Sequence, residues 1–208
     1  MILIGQYDSP YVRRVAITMR LYDLHYEHRP WSVFGDGDKL ATYNPLRRVP
    51  TLLVNDELVL IETFAIIDFL DERVGRDRAM IAENGNAQRD ALKVCALASG
   101  LADKAVSLVY ERVLHETTSP DWVARCEQQI GDVLDALELD RGARSTSYWF
   151  GNDIGHADIA VACAMRFVTE AHPALMAATP HRALAAHAER CEALPAFQEI
   201  VQPLAVPK

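Results

Sequence analysis

The chain has 208 residues, half of them apolar and 24% charged, enough for one large domain or two modest ones with real hydrophobic cores. Its formal charge of −8 comes with no Lys/Arg block beyond the pairs Arg13-Arg14 and Arg47-Arg48, which speaks against a nucleic-acid groove and leaves room for a local anion site. The longest apolar window, Ile159 to Met165, falls well short of the roughly 18 residues of a membrane span, and MILIGQYDSP carries no basic leader, so no membrane partner and a cytoplasmic location are expected.

Ile2 to Gln6 is a short apolar run ending before Tyr7-Asp8-Ser9-Pro10, which fits a buried strand. Val12, Val15, Ala16 and Met19 then recur at helical spacing, so a helix is expected from Pro10 to about Tyr22, with Ser9 as N-cap and Pro10 in its first turn. A second strand is expected near Tyr26 to Arg29. The polar, Gly-containing stretch from Trp31 to Tyr43 receives no element. Thr51 to Val54 and Leu58 to Ile61 are β-favouring runs separated by Asn55-Asp56-Glu57, the pattern of an antiparallel hairpin. An amphipathic helix follows, with Phe64, Ile67 and Leu70 or Ile66, Leu70 and Val74 on one side. A helical crossover between the first two strands implies parallel pairing, and the hairpin completes a small mixed sheet.

Val74 to Asn86, VGRDRAMIAENGN, is charged and without period, and it divides the chain into residues 1–77 and 86–208. Beyond it Val94, Ala98, Leu101, Ala105 and Leu108 keep one helical face, and Cys126, Ile130, Val133, Leu134 and Leu137 keep another. Ile159 to Val168 is apolar nearly all round, as a central helix should be. With two shorter helices, after Pro180 and around Leu194 to Val201, the second half reads as a bundle of about five helices. Cys95, Cys126, Cys163 and Cys191 form no CxxC and fall in helical stretches, so they read as buried thiols in a reducing compartment. The seven histidines form no HExxH or similar cluster, and no metal is expected.

Three stretches in order carry a resemblance over nearly the full length. They are Ser9-Pro10-Tyr11-Val12-Arg13-Arg14 after the first strand, Asn44-Pro45-Leu46-Arg47-Arg48-Val49-Pro50-Thr51-Leu52 (an NPxxxVPxL pattern), and Glu62-Thr63-Phe64-Ala65-Ile66-Ile67-Asp68-Phe69-Leu70. Together they resemble the cytosolic glutathione S-transferase superfamily, in a bacterial-type form with a Ser-Pro-aromatic motif. The resemblance implies an α/β thioredoxin-like N-terminal domain that binds glutathione, followed by an all-α C-terminal domain.

It also implies roles for individual residues. A free thiol titrates near about 8.5, so a thiolate at neutral pH needs help from a hydroxyl donor or a helix N-terminus. Ser9 stands where it can supply the first at a place that supplies the second; its other reading is a plain helix cap. Tyr7, at the end of strand one, is the rival catalytic hydroxyl, or else an aromatic packing residue. Arg13 can add positive potential near the sulfur or pair with an acidic neighbour. Val49-Pro50 resembles the family's cis-proline junction, which makes Val49 a backbone ligand of the tripeptide. Arg48 can lie beside the glycine carboxylate or be a solvated loop charge. Glu62 and Thr63 precede a helix whose free N–H groups suit the γ-glutamyl carboxylate, with Glu62 meeting the ammonium. Gly155-His156-Ala157-Asp158 resembles the family's S/T-x-x-D capping box, and Asp158 is read as structural.

Serine rather than cysteine at position 9 disfavours mixed-disulfide chemistry. The expected activity is therefore addition of glutathione, as co-substrate, to a small hydrophobic electrophile in detoxification. The acceptor pocket is expected between the halves, with Tyr11, Trp31, Phe34 and Tyr110 as its lining. The alternatives are a non-catalytic binding module on the same fold and a glutathione-dependent isomerase or dehalogenase. A homodimer is carried over from the family.

Overall fold

A computed structural model describes residues 1–206. The first part runs β1 (Ile2–Ile4), α1 (Pro10–Leu21), β2 (Glu27–Arg29), α2 (Gly37–Ala41), β3 (Thr51–Leu53), β4 (Val59–Ile61) and α3 (Thr63–Val74). The strands lie in the order β2-β1-β3-β4, with β1 and β2 parallel and the other two pairs antiparallel. This is the mixed sheet that one crossover and one hairpin require. Leu3 and Leu52 of the sheet, Val12, Val15, Ala16 and Met19 of α1, and Ile66 and Leu70 of α3 form one buried core. The unassigned stretch contains α2, a helix of five residues in which only Leu40 is buried, too short to show a period.

The second part is helical: α4 (Gly85–Leu114), α5 (Pro120–Gly142), α6 (His156–Ala171), α7 (Pro173–Ala178), α8 (Arg182–Glu192) and α9 (Pro195–Glu199). That is one helix more than expected. The extra one, α7, buries none of its residues and so writes no apolar face into the sequence. All four cysteines are buried and free.

Helix α6 explains why its sequence is apolar on every side. Ile159, Ala162 and Cys163 pack into the core beneath the sheet, while Ala160, Val161, Ala164 and Val168 pack into the core of the bundle. Its N-terminus is held by Asp158, whose carboxylate accepts from the backbone N–H of Gly155 at 2.8 Å and of Trp149 at 2.7 Å. A buried polar cluster ties the same end to the first part. His156 Nε2 lies 2.7 Å from Asp71 on α3, and the Tyr22 hydroxyl donates to the same carboxylate. No helix among the described residues is long and apolar enough to cross a membrane.

Candidate active site

The site is assembled where strand β1 ends. Gly5 has φ +132°, and a Cβ there would stand 2.5 Å from Val12 Cγ2 and 2.8 Å from Val49 Cβ. Only glycine lets the strand end, helix α1 and the Val49 loop approach so closely. The loop itself is braced by Asn44, which is buried: its amide donates to the Arg48 carbonyl at 2.9 Å and to Thr51 Oγ1 at 3.1 Å, while its oxygen accepts from Leu46 N at 3.0 Å. Thr51 Oγ1 donates to the same Arg48 carbonyl. This network is what the Asn in the NPxxxVPxL pattern does. The Val49–Pro50 peptide bond is cis, and the backbone of Val49 makes no hydrogen bond among the described residues.

Two helices begin here. Ser9 caps α1, its Oγ accepting from Val12 N at 3.4 Å. That bond uses a lone pair and leaves the hydroxyl proton free to donate elsewhere. Glu62 precedes α3 with φ +71° and ψ 131°, a conformation disfavoured for a residue with a side chain. It makes no side-chain cap, so the first N–H groups of α3 at Thr63 and Phe64 are unclaimed by any capping side chain.

Two adjoining cavities share Tyr11, Arg48, Val49 and Asp103. The smaller, about 170 Å³, is bounded by Pro50, Glu62, Thr63, Phe64 and Ser99. The larger, about 1000 Å³, lies between the two parts of the chain, and Ser9 stands in its wall with Trp31, Phe34 and Tyr110. Phe34 meets Tyr110 edge-on across this cleft, with centroids 5.3 Å apart. Burial pushes the Tyr110 hydroxyl above its ordinary range, so it stays protonated. Arg48 is exposed, and its nearest carboxylate is that of Glu62, 3.7 Å away.

Two residues expected at the site stand elsewhere. Tyr7 lines neither cavity: its ring stacks on His28 at 3.9 Å, its hydroxyl is bonded to that of Tyr26 at 2.8 Å, and burial raises it further above the thiol range. Arg13 is buried on the other side of α1. It forms a bidentate pair with Glu192 at 2.6 and 2.7 Å and donates to the carbonyls of Ile200 and Phe197, which leaves no guanidinium face for a sulfur.

Of α4 the sequence reasoning named only Tyr110, and it missed Ser99, Asp103 and Ser107 as well as the tail. Ser99, Asp103, Ser107 and Tyr110 recur every three or four residues along α4 and all face the cavities. That polar stripe beside the apolar one was the available signal. Leu204, Ala205 and Val206 close the outer wall of the cleft, and no motif announces them.

Residues 3–78 match the glutathione S-transferase N-terminal domain, and residues 120–190 match the glutathione S-transferase C-terminal domain. A Vibrio cholerae protein described as "Probable maleylacetoacetate isomerase" is 29% identical over 210 residues, covering 96% of this chain and 94% of that one. A glutathione S-transferase from Methylobacterium radiotolerans, in complex with glutathione sulfonate, superposes with a TM-score of 0.90 at 24% identity over 100% of this chain and 97% of that one. A glutathione transferase family member from Pseudomonas fluorescens Pf-5 with bound glutathione gives 0.84 at 27% identity over 98% and 99%.

Proposed function

Because the chain belongs to the glutathione S-transferase superfamily, we propose that it holds glutathione across the two cavities, activates its thiol with Ser9, and adds it to a small hydrophobic electrophile. The observation that carries this reading is the convergence of two helix starts, Ser9 on α1 and Glu62-Thr63 on α3, on adjoining cavities. Structural neighbours of this chain are described with glutathione or its sulfonate bound, which supports the tripeptide as the ligand.

In this reading the γ-glutamyl carboxylate rests on the N–H groups that open α3, with the Thr63 hydroxyl beside it and Glu62 taking the ammonium. Val49 pairs its backbone with the cysteinyl residue, and Arg48 meets the glycine carboxylate. The thiol then lies at the start of α1. Its proton leaves to solvent, and the Ser9 hydroxyl donates to the sulfur, favouring the thiolate. The sulfur lone pair forms the new carbon–sulfur bond, and the acceptor's bonding electrons move to its leaving group or to an atom that takes a proton from water. Tyr11, Trp31, Phe34 and Tyr110 hold the acceptor close, which contributes through proximity. Residues 1–77 and 86–208 act as the glutathione-binding and acceptor-shaping domains of a cytoplasmic homodimer.

The test is a titration of glutathione by calorimetry, then a panel of electrophiles. Failure to bind glutathione sinks the reading. A second reading, glutathione-dependent isomerisation, is favoured by the Vibrio cholerae relative. It is distinguished by turnover of a cis-unsaturated keto acid without net loss of glutathione.

A further inference from the structure

One wall of the larger cavity carries polar groups of α4 that no other group among the described residues engages. Lys104 and Ser107 stand in that wall. They are three residues apart on one helix, so their side chains leave the same face about 5–6 Å apart at Cβ. Lys104 is partly buried and makes no ion pair among the described residues; its ammonium lies over the Trp122 ring, 5.4 Å from the centroid. A ring face attracts a cation by about 0.5–1 kcal/mol and cancels none of its charge. The Ser107 hydroxyl has no hydrogen-bond partner among the described residues. It does not return its proton to the carbonyl one turn back, as Thr18 does to Arg14.

The acids of the same cleft are already engaged. Asp8 accepts from the backbone of Ala205, and Asp103 from the Tyr11 hydroxyl. Of the other cations, Arg47 is paired with Asp38 at 2.8 Å, and Arg48 lies 3.7 Å from Glu62 on the glutathione side. Lys104 is thus the cation of the cleft without an ion-pair partner among the described residues, and a free hydroxyl stands beside it. Such a pair of donors matches two oxygens that share a negative charge, one taking the ammonium and the other the hydroxyl through charge-assisted bonds. Phe34 and Tyr110, edge to face at 5.3 Å, offer an aromatic surface to the body of the same ligand. A wholly apolar acceptor would instead cover both donors and strip water from the ammonium, at a cost. We propose that the electrophile this cleft selects carries a carboxylate on its hydrophobic body, bound by Lys104 and Ser107. The inference rests on the glutathione-transfer reading above and names the chemical class of its acceptor.

The test is steady-state turnover, by the full chain with glutathione, of para-(chloromethyl)benzoate against para-(chloromethyl)benzamide, and of the two meta isomers. Within each pair the shape is the same and the charge differs. In every case the sulfur bonds to the benzylic carbon, chloride leaves with the carbon–chlorine electron pair, and the thiol proton passes to solvent. After subtraction of the uncatalysed rate, kcat/KM is expected to favour the benzoate about tenfold or more in at least one pair. Lys104→Met should narrow that preference about tenfold and Ser107→Ala about threefold, while Lys104→Arg keeps most of it. Lys104→Glu should turn the preference towards the benzamide. If Lys104→Met does not fold, Lys104→Glu and Ser107→Ala carry the comparison. An active wild type with no preference for the benzoate in either pair overturns the proposal, as does a preference that no variant at Lys104 or Ser107 changes. A wild type that binds no glutathione, or turns over none of the four compounds, overturns the transfer reading itself, a result distinct from equal turnover within a pair.

Discussion

Tyr11 on α1 donates its hydroxyl to the carboxylate of Asp103 on α4, joining the two parts of the chain at the seam where the cavities meet. Burial pushes the Tyr11 hydroxyl far above the ordinary phenol range, and the bond to Asp103 adds to this. It therefore remains a donor at any working pH. Tyr11→Phe leaves the Asp103 carboxylate without this donor and is expected to cost about 1–2 kcal/mol in urea unfolding, with a raised KM for the acceptor. Asp103→Asn keeps an oxygen for the same hydroxyl and should cost less. Equal losses in the two variants would refute a bonding role.

Ser9 is both a cap and the proposed thiol activator, and the two roles separate by measurement. Loss of one hydrogen bond to a thiolate is expected to raise the bound thiol's pKa by about 1–2 units, so Ser9→Ala should lose about tenfold to a hundredfold in turnover near neutrality and recover as pH rises. Loss of the cap alone lowers stability by about 0.5–2 kcal/mol, at the low end for a 3.4 Å bond, without moving a pH profile. Thiolate absorbance of the glutathione complex against pH reads the difference. Tyr7→Phe should leave that titration in place.

What the sequence made legible follows from range. The start of α1 was readable because Ser9 and Pro10 act on the next turn, and α6 because an all-round apolar stretch needs neighbours on every side. The stretch from Asn44 to Pro50 was readable as a pattern because the bonds of Asn44 that brace it close within seven residues. Arg13 was not, since its partner Glu192 lies 179 residues on. The same holds for Tyr7, whose hydroxyl meets Tyr26 from the next strand segment, and for the tail, which reaches the cleft only through tertiary contacts. Arg13 and Arg14 look alike in a sequence; that Arg13 is the one paired with Glu192 is a fact of packing.

The tail is fastened by side chains of the first part and of α6 and by one side chain of its own. Asp8 accepts from Ala205 N at 2.9 Å, Glu170 accepts from Leu204 N at 3.0 Å, and Gln202 Oε1 accepts from Tyr7 N at 3.1 Å. Leu204 to Val206 thereby form a wall of the acceptor cleft. Asp8→Ala combined with Glu170→Ala removes two of the three fastenings, each worth about 1 kcal/mol. The double variant is expected to raise KM for small acceptors about threefold to tenfold and to improve turnover of bulkier ones, with glutathione affinity kept. An unchanged acceptor profile would show that the tail does not shape the cleft.

His187 sets a pH limit on stability that has nothing to do with the active site. It is fully buried, meets Trp149 edge-on at 5.3 Å, and lies 3.5 Å from Asp158 Oδ1 and 3.6 Å from Cys191 Sγ. Burial first, then the charge of Arg141, opposed by a hydrogen bond with the Asp158 backbone and aided least by the charge of Arg190, lower its pKa from 6.5 to about 4. The folded state thus keeps the ring neutral where the unfolded chain takes a proton. Its contribution is complete above about pH 6.5 and is lost as pH falls towards 4, up to about 3 kcal/mol in all. His172, also lowered by burial, adds in the same direction. Asp158, raised by burial, opposes them, because protonation favours the folded state as pH falls through its elevated pKa. Urea unfolding between about pH 7 and about pH 5 should therefore show falling stability in the wild type and a shallower fall in His187→Gln, even though that variant starts less stable. Parallel curves for the two proteins would mean that His187 titrates alike folded and unfolded, and the assignment would fail.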